Sequence, residues 1–403
     1  MVKSVVTVEI STQIRVISSC KTICFGGRHM KQVICPICGS VCIKYGKNKS
    51  GSQRWFCKRC KSICTPKIDN SSKQLNIFLK WLFSKQTQRE MTGEGRTFRR
   101  KTSMFWDIWP MPPIVESKRD VLYVDGIYLG RKACVLICCD DKHVLGWYLC
   151  RYEHSEAWKS LLSRIAEPRI VVSDGGTGLP KALRQIWPQA EHQRCTFHAF
   201  CQIRRYTTTK PKTSAGFELY NLAKDLLHLK NKEEAEEWTL RFIDWMRRYN
   251  SFLSQMTYDE FGNGRPTHER LIKAQRSTLK LIKEGTLFTY LDEELIEEIG
   301  RIPATTNQIE GGVNARLREM LRSHRGLSIE RRIKAVFWWC YMHCPEPLSA
   351  TELLKIMPTD KSISDIYKKI SRQGKVSDTI PGWGDAIVWG EFHKSGEYPI
   401  YWD

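Results

Sequence analysis

The sequence has no apolar run of about 18 residues, which excludes a transmembrane helix. Its first thirty residues carry scattered charge and only short apolar stretches, a poor match to a secretory signal. Acidic charge is scarce in one region only. Residues 1–116 hold 21 Lys and Arg against 6 Asp and Glu, so most of the net charge of +21 sits there. A basic end on a nearly balanced body fits a polyanion-binding module joined to something else. That region lacks the long amphipathic stripe of a membrane-surface binder, so nucleic acid is the expected partner and no membrane is expected. Cysteine is plentiful, at 16, but a chain of 403 residues is too long to be a small disulfide scaffold. A reducing cytoplasm is the expected compartment.

Four of the cysteines have zinc spacing. Cys35-Pro-Ile-Cys38 is followed, eighteen residues on, by Cys57-Lys-Arg-Cys60. This falls in the range of a four-thiolate structural zinc site. The sequence between the knuckles reads as a hairpin with a polar tip and aromatic strand ends. So small a piece has little core, and metal binding would supply its folding energy. Cys42 and Cys64 read as small hydrophobes, and Cys20 and Cys24 receive no role. The expected ribbon covers 30–68, after a dispensable leader at 1–29.

Residues 72–110 have a helical apolar pattern, then a break at Gly93 and Gly95, then the basic stretch Arg96-Thr-Phe-Arg99-Arg100-Lys101-Thr102. This fits a helix-turn-helix whose last helix enters the major groove, and equally an ordinary helical linker. Pro110, Pro112 and Pro113 mark the expected boundary before the next domain. From 117 to 205 the pattern is α/β: strand-like runs at 121–128, 133–139, 144–150 and 170–174, with helices near 154–166 and 178–186. That order is the one found in an RNase H-like fold. Residues 206–302 are charge-rich and helical, with Trp238, Phe242, Trp245 and Tyr249 at core spacing. They read as an insertion, after which 303–345 completes the core and 346–403 forms a small appendage. The expected fold is thus an α/β RNase H-like core with an all-α insertion, preceded by a zinc ribbon and a helix-turn-helix-like DNA-binding region.

Three carboxylates carry the chemistry. Asp125 ends the run Val121-Leu-Tyr-Val124, Asp174 ends Ile170-Val-Val-Ser173, and Glu310 opens a basic amphipathic segment. An acid at the end of a buried strand is costly unless paired or holding a cation. Either aspartate alone reads as a cap on a turn before a helix. Together with Glu310 they could hold two Mg²⁺ (or Mn²⁺) ions for in-line phosphoryl displacement.

These residues resemble a family: bacterial DDE transposases with an RNase H-like core, close to the IS256-type (mutator-like) group. The resemblance spans about residues 120–340. It is carried by Val124-Asp125-Gly126, Ser173-Asp174-Gly-Gly-Thr-Gly-Leu179, Gln193-Arg-Cys195-Thr-Phe-His198 and Thr306-Asn-Gln-Ile-Glu310. It implies a transposase that binds the terminal inverted repeats of its insertion sequence, cleaves there and transfers strands to target DNA. Asp125, Asp174 and Glu310 would be its catalytic metal ligands, in a homo-oligomer on DNA ends associated with a prokaryotic nucleoid. For Cys195 and His198 a structural or DNA-positioning role is expected over catalysis, although their spacing also suits half a metal site. Related transposases often carry a basic residue seven positions after the glutamate; here that position is Leu317, flanked by Arg316 and Arg318. Arg316, Arg318, Arg322 and Arg325 are expected on phosphates, and Arg54, Lys58, Arg59, Arg96, Arg99, Arg100 and Lys101 on DNA through the ribbon and the basic helix. A DNA-binding regulator without catalysis and a host RNase H-like nuclease or resolvase are the rival readings.

Overall fold

The computed structural model describes residues 33–65, 69–176 and 178–365, with the backbone of 379–380 and 384–388. The chain divides into two units at Asp69/Asn70. The leader, Cys20 and Cys24, and most of the expected appendage beyond 365 lie outside the described residues.

In the first unit, β1 (Ile43–Lys47) and β2 (Gln53–Phe56) form the expected antiparallel hairpin, with Ile43 opposite Phe56. Its polar tip is closed by Asn48, whose Oδ1 accepts from the N–H of Ser50 and of Ser52 at 3.1 and 2.8 Å. The short β3 (Ile63–Cys64) adds to the other edge of β2. Among the described residues its core is Cys35, Cys42 and Cys57, with Val33, Trp55 and three further cysteines against them. Such a core supports no fold without a staple.

The second unit is a mixed α/β body built on a five-stranded sheet. β4 (Val121–Leu129), β5 (Ala133–Cys139) and β6 (Val144–Cys150) form an antiparallel meander. β7 (Ile170–Ser173) and β8 (Glu191–Arg194) then add in parallel to β4, giving the order β6-β5-β4-β7-β8. Every residue of β5 and β6 is buried, because both faces of the sheet are covered. Leu122, Val124, Leu136 and Val171 pack on α3 (Ser155–Leu162) and α4 (Leu179–Ile186). Tyr123, Ile127, Trp147 and Val172 face a larger core that includes α11 (Ala315–Ser323) and α12 (Ile329–Met342).

That larger core also takes in the expected DNA-binding region. α1 (Ser71–Leu82) buries Leu75, Phe78, Trp81 and Leu82, while α2 (Arg96–Thr102) buries Phe98 and Thr102. Phe78 packs against Trp338 of α12 with ring centres 6.0 Å apart. Pro110–Pro113 therefore mark an extended connection inside one unit and not a break between two. The expected break falls at the Gly93–Gly95 turn, where Gly95 adopts φ 81° against the Gln88 carbonyl. α13 (Ala350–Ile356) is packed by Leu353 into the same core. Lys334, fully buried, pairs with Glu330 at 2.6 Å and with both oxygens of Asp360 at 2.8 Å.

The helical block begins ten residues earlier than expected, at α5 (Thr196–Thr207). It continues through α6 (Ser214–Asp225), α7 (Lys232–Arg248), α8 (Asn250–Leu253) and α9 (Glu269–Lys283) around its own core. The aromatic stripe is core, with the Trp238 and Trp245 indoles donating to the carbonyls of Leu222 and Ala215. α10 (Glu293–Ile299) returns to the main core through Leu295.

Candidate functional site

Strand register assembles the site. The β4–β7 ladder ends at Val124 opposite Ser173, and the β7–β8 ladder ends at Ser173 opposite Arg194. The residues after these pairs are Asp125, inside β4, and Asp174 and Cys195, just past the ends of β7 and β8, so the three line up side by side across the sheet. By strand alternation Asp125 shares the face of Tyr123 and Ile127, towards the larger core. Asp174 leads directly into a tight turn. Its Oδ1 accepts from the Gly176 N–H at 2.9 Å, and Gly175 takes φ 82°, a conformation open to glycine at little cost.

The third acid arrives on that face from a distant part of the sequence. Glu310 lies in a π-helix, Gln308–Asn314, whose wide turns run directly into α11. Wide turns of this kind are rare and recur at functional sites. Ile309, Val313 and Leu317 anchor the segment in the core. Asn314, fully buried, donates from Nδ2 to Asp125 Oδ2 at 2.6 Å, fastening the helix to the middle of β4. The Thr306 hydroxyl donates to Glu310 Oε1, and His198 Nδ1 lies 3.4 Å from the same oxygen.

Cys195 and His198 stand at the first turn of α5 and complete this corner. The Thr306 N–H donates to Cys195 Sγ at 3.3 Å. Ligand atoms of Cys195, His198 and Glu310 lie within 4.8 Å of one another, so the pair sits beside the third acid and not in a site of its own. Burial opposes the Cys195 thiolate, but hydrogen bonds from His198 and Thr306 outweigh it and hold the thiol below its ordinary value. The hydrogen bond with Cys195 correspondingly raises His198.

The corner carries more negative charge than the sequence indicated. Burial, then the Asp174 charge, push Asp125 up to about 7, with Glu310 adding to the rise. A fourth carboxylate feels the same field: burial, Asp174 and Asp125 push Glu153 up to about 7. Glu153 sits between β6 and α3, and its Oε2 is buried without a hydrogen-bond partner. Its only sequence signal was an acid just before a helix, which is ordinary dipole chemistry. One cation partly offsets the acids. The Arg194 guanidinium lies over Gly175 beside Asp174, where burial lowers its pKa against the pull of that carboxylate.

The acid-rich α10, which precedes Glu310 in the chain, is engaged elsewhere. Asp292 caps α10 by accepting from the Leu295 N–H at 3.1 Å, and Glu298 pairs with Arg169. Leu317 is fully buried, so position seven after Glu310 faces the core. In an α-helix residue seven returns to the starting face. The π-turns absorb about one residue more, which brings Arg318 to the face of Glu310. Arg316 instead lies close enough to His343 to add to the burial that lowers that imidazole. Arg318, Arg322 and Arg325 are exposed, as are Arg96, Arg99, Arg100 and Lys101.

In the first unit Cys35, Cys38, Cys57 and Cys60 bring four sulfur atoms within 4.8 Å of one another. Sγ–Sγ separations of 3.4 Å join Cys35 to Cys60 and Cys38 to Cys57, a cluster that could hold a zinc ion. Lys58 and Arg59 are exposed between the second pair of ligands, and Arg54 lies over the Tyr45 ring at 5.5 Å. Among the described residues no helix is long and apolar enough to cross a membrane.

Residues 133–261, which include Asp174, Cys195 and His198, match the family described as Transposase, Mutator family. A transposase for insertion sequence element IS905 from Lactococcus lactis is 28% identical over 159 residues, 35% of this chain and 40% of that protein. A probable insertion-sequence transposase from Corynebacterium diphtheriae is 32% identical over 108 residues, covering 24% of this chain and 32% of its own length. The transposase for IS6120 from Mycolicibacterium smegmatis is 33% identical over 92 residues, 19% of this chain and 28% of its own. The chain thus spans well under two thirds of each of these relatives. Over the matched part, the resemblance read from the sequence holds: this chain is similar to Mutator-family transposases of bacterial insertion sequences.

Proposed function

We propose that the chain is a DDE-type transposase that binds the terminal inverted repeats of an insertion sequence, cleaves DNA at their ends and joins them to target DNA. The observation that carries this reading is the convergence of Asp125 from the middle of β4, Asp174 from the end of β7 and Glu310 from a π-helix. The order of strands and helices around them favours an RNase H-like core interrupted by the helical block.

The corner fits two hard divalent cations, Mg²⁺ or Mn²⁺. Its donors are carboxylate oxygens whose charges repel one another, and Glu153 Oε2 and Asn314 Oδ1 are buried acceptors with no donor. When bound, the ions would activate the attacking oxygen of water or of a 3′-hydroxyl and stabilise the leaving oxygen. The chain itself supplies position and charge. Asn314 and the Gly126 N–H orient Asp125; Thr306 and His198 orient Glu310; Arg194 limits repulsion at Asp174. Cys195 and His198 act here as a positioning pair. Arg318, with Arg322 and Arg325 beyond it, offers phosphate contacts next to the third acid. Readout of bases falls to the ribbon and to the exposed basic face of α2, read as the last helix of a helix-turn-helix, in a homo-oligomer on paired ends.

Asp174→Asn in the full-length protein is expected to abolish Mg²⁺-dependent cleavage of terminal-repeat DNA while leaving gel-shift affinity intact. Glu310→Gln is expected to do the same, and Glu298→Gln to leave cleavage unchanged. Near wild-type cleavage by either of the first two variants would refute the assignment.

A further inference from the structure

We propose that Glu153 is a fourth carboxylate ligand of the divalent-cation site, reaching Asp125 and Asp174 from the opposite face of the sheet. The inference rests on the transposase reading for the cation, while its geometry stands independently. Asp125 projects towards the Glu310 helix, so the next residue on β4 faces the α3/α4 side. That residue is Gly126, which has no side chain. A Cβ there would lie 2.7 Å from Glu153 Oε1 and 3.0 Å from Cys134 Sγ. At Gly176, two residues past Asp174, a Cβ would collide with Glu153 Oε2 while lying 3.5 Å from Asp174 Oδ1.

The two carboxylate oxygens of Glu153 thus occupy the space left by two glycines, one behind each aspartate. Oxygens of Glu153 and Asp174 crowd around a single point. Tyr128, on the same face of β4 as Gly126, stands beside the Glu153 carboxylate. Its Oε2 has no protein donor although it is shut off from solvent. A purely structural glutamate would have both oxygens satisfied, because an unpaired buried acceptor is costly. An oxygen-seeking cation between Glu153 and Asp174 supplies the missing partner. Four carboxylates also match the charge of two divalent ions, where three leave them under-neutralised.

The test is Mn²⁺ binding to the full-length protein without DNA, followed by the loss of the free-ion electron paramagnetic resonance signal. Glu153→Gln is expected to weaken binding about tenfold or more, with unfolding in EDTA no earlier than wild type. Tyr128→Phe, which keeps the carboxylate, is expected to bind Mn²⁺ within a few-fold of wild type. Wild-type affinity in Glu153→Gln, with binding lost in Asp174→Asn, overturns this proposal and leaves the transposase site standing. Wild-type affinity in both variants overturns the site itself. Should the Gln variant fail to fold, Gly176→Ala supplies the test, because its methyl displaces Glu153 Oε2 while no acid is replaced. Unchanged Mn²⁺ affinity in that variant overturns the proposal.

Discussion

Asp125→Asn is expected to stabilise the cation-free protein, and its pH dependence follows from one carboxyl group. Asp125 titrates near 7 in the fold against an ordinary value of 3.8. A pKa unit is about 1.36 kcal/mol, so a rise of about three units costs the folded state about 4 kcal/mol when the group is ionised. The folded state holds this proton more tightly than the unfolded chain does. Wild-type stability therefore falls as pH rises from about 4 to 7, and the loss stays complete above 7. Asparagine carries no charge and keeps the volume. Asn314 can turn its amide to offer Oδ1, an acceptor with no partner in the wild type, so the contact of 2.6 Å is replaced and not lost. In EDTA the variant should exceed wild type by up to about 4 kcal/mol at pH 8, by about 1.5 at pH 5 and by less than about 1 at pH 4. At about 2–4 °C per kcal/mol the difference at pH 8 is up to about 8–16 °C of unfolding midpoint. Mg²⁺ should raise the wild-type midpoint and move the variant much less. Thermal unfolding by circular dichroism at three pH values, with and without Mg²⁺, measures all of this. A variant no more stable than wild type at pH 8 in EDTA, or an advantage that does not change with pH, would refute the reasoning.

Arg318→Ala should weaken binding to terminal-repeat DNA and lower the slope of log affinity against log salt by about one, whereas Arg316→Ala should do little; equal effects would defeat the π-turn phasing. Cys57→Ser should lose one zinc equivalent by elemental analysis and unfold the ribbon, since three thiolates cannot close a tetrahedral site. A fragment starting at residue 70 should fold without zinc, but one starting at 117 should not fold, because Leu75, Phe78, Trp81 and Trp106 belong to the core of the sheet; circular dichroism of the two separates the cases. Asp360→Ala should cost about 3 kcal/mol in denaturant unfolding, because it removes one of the two acids paired with the fully buried Lys334 ammonium.

The sequence made the sheet legible wherever side chains were apolar on both faces. The expected strands at 121–128, 133–139, 144–150 and 170–174 each lie within a residue of the observed ends. β8 was not recognised as a strand because Glu191-His-Gln-Arg194 is polar. It is an edge strand held by side-chain chemistry, with buried Gln193 donating to the Leu287 carbonyl and accepting from the Tyr290 N–H. The Gly93–Gly95 break was visible, but not that the helices around it fill the same core as the sheet. Amphipathicity shows that a face is buried and is silent on what buries it. Pro110–Pro113 misled for the same reason, since proline reports a local conformation and not the end of a core.

The three acids lie in the sequence as motifs, whereas the fourth does not, and the difference is instructive. Asp125 and Asp174 stood out because a charge at the end of an apolar run violates the local pattern, although β4 continues four residues past Asp125. Glu153 violates nothing locally, since an acid before a helix is favourable wherever it stands. What marks it is absence elsewhere: Gly126 and Gly176 have no side chains, and Glu153 occupies the room this leaves. A glycine just after an aspartate that closes an apolar run reads in sequence as turn chemistry. In the fold each one opens a passage through which a carboxylate reaches the site from behind. Register determines this arrangement, because moving β7 by one residue against β4 would carry Asp174 out of line with Asp125 and Gly176 out of line with Gly126.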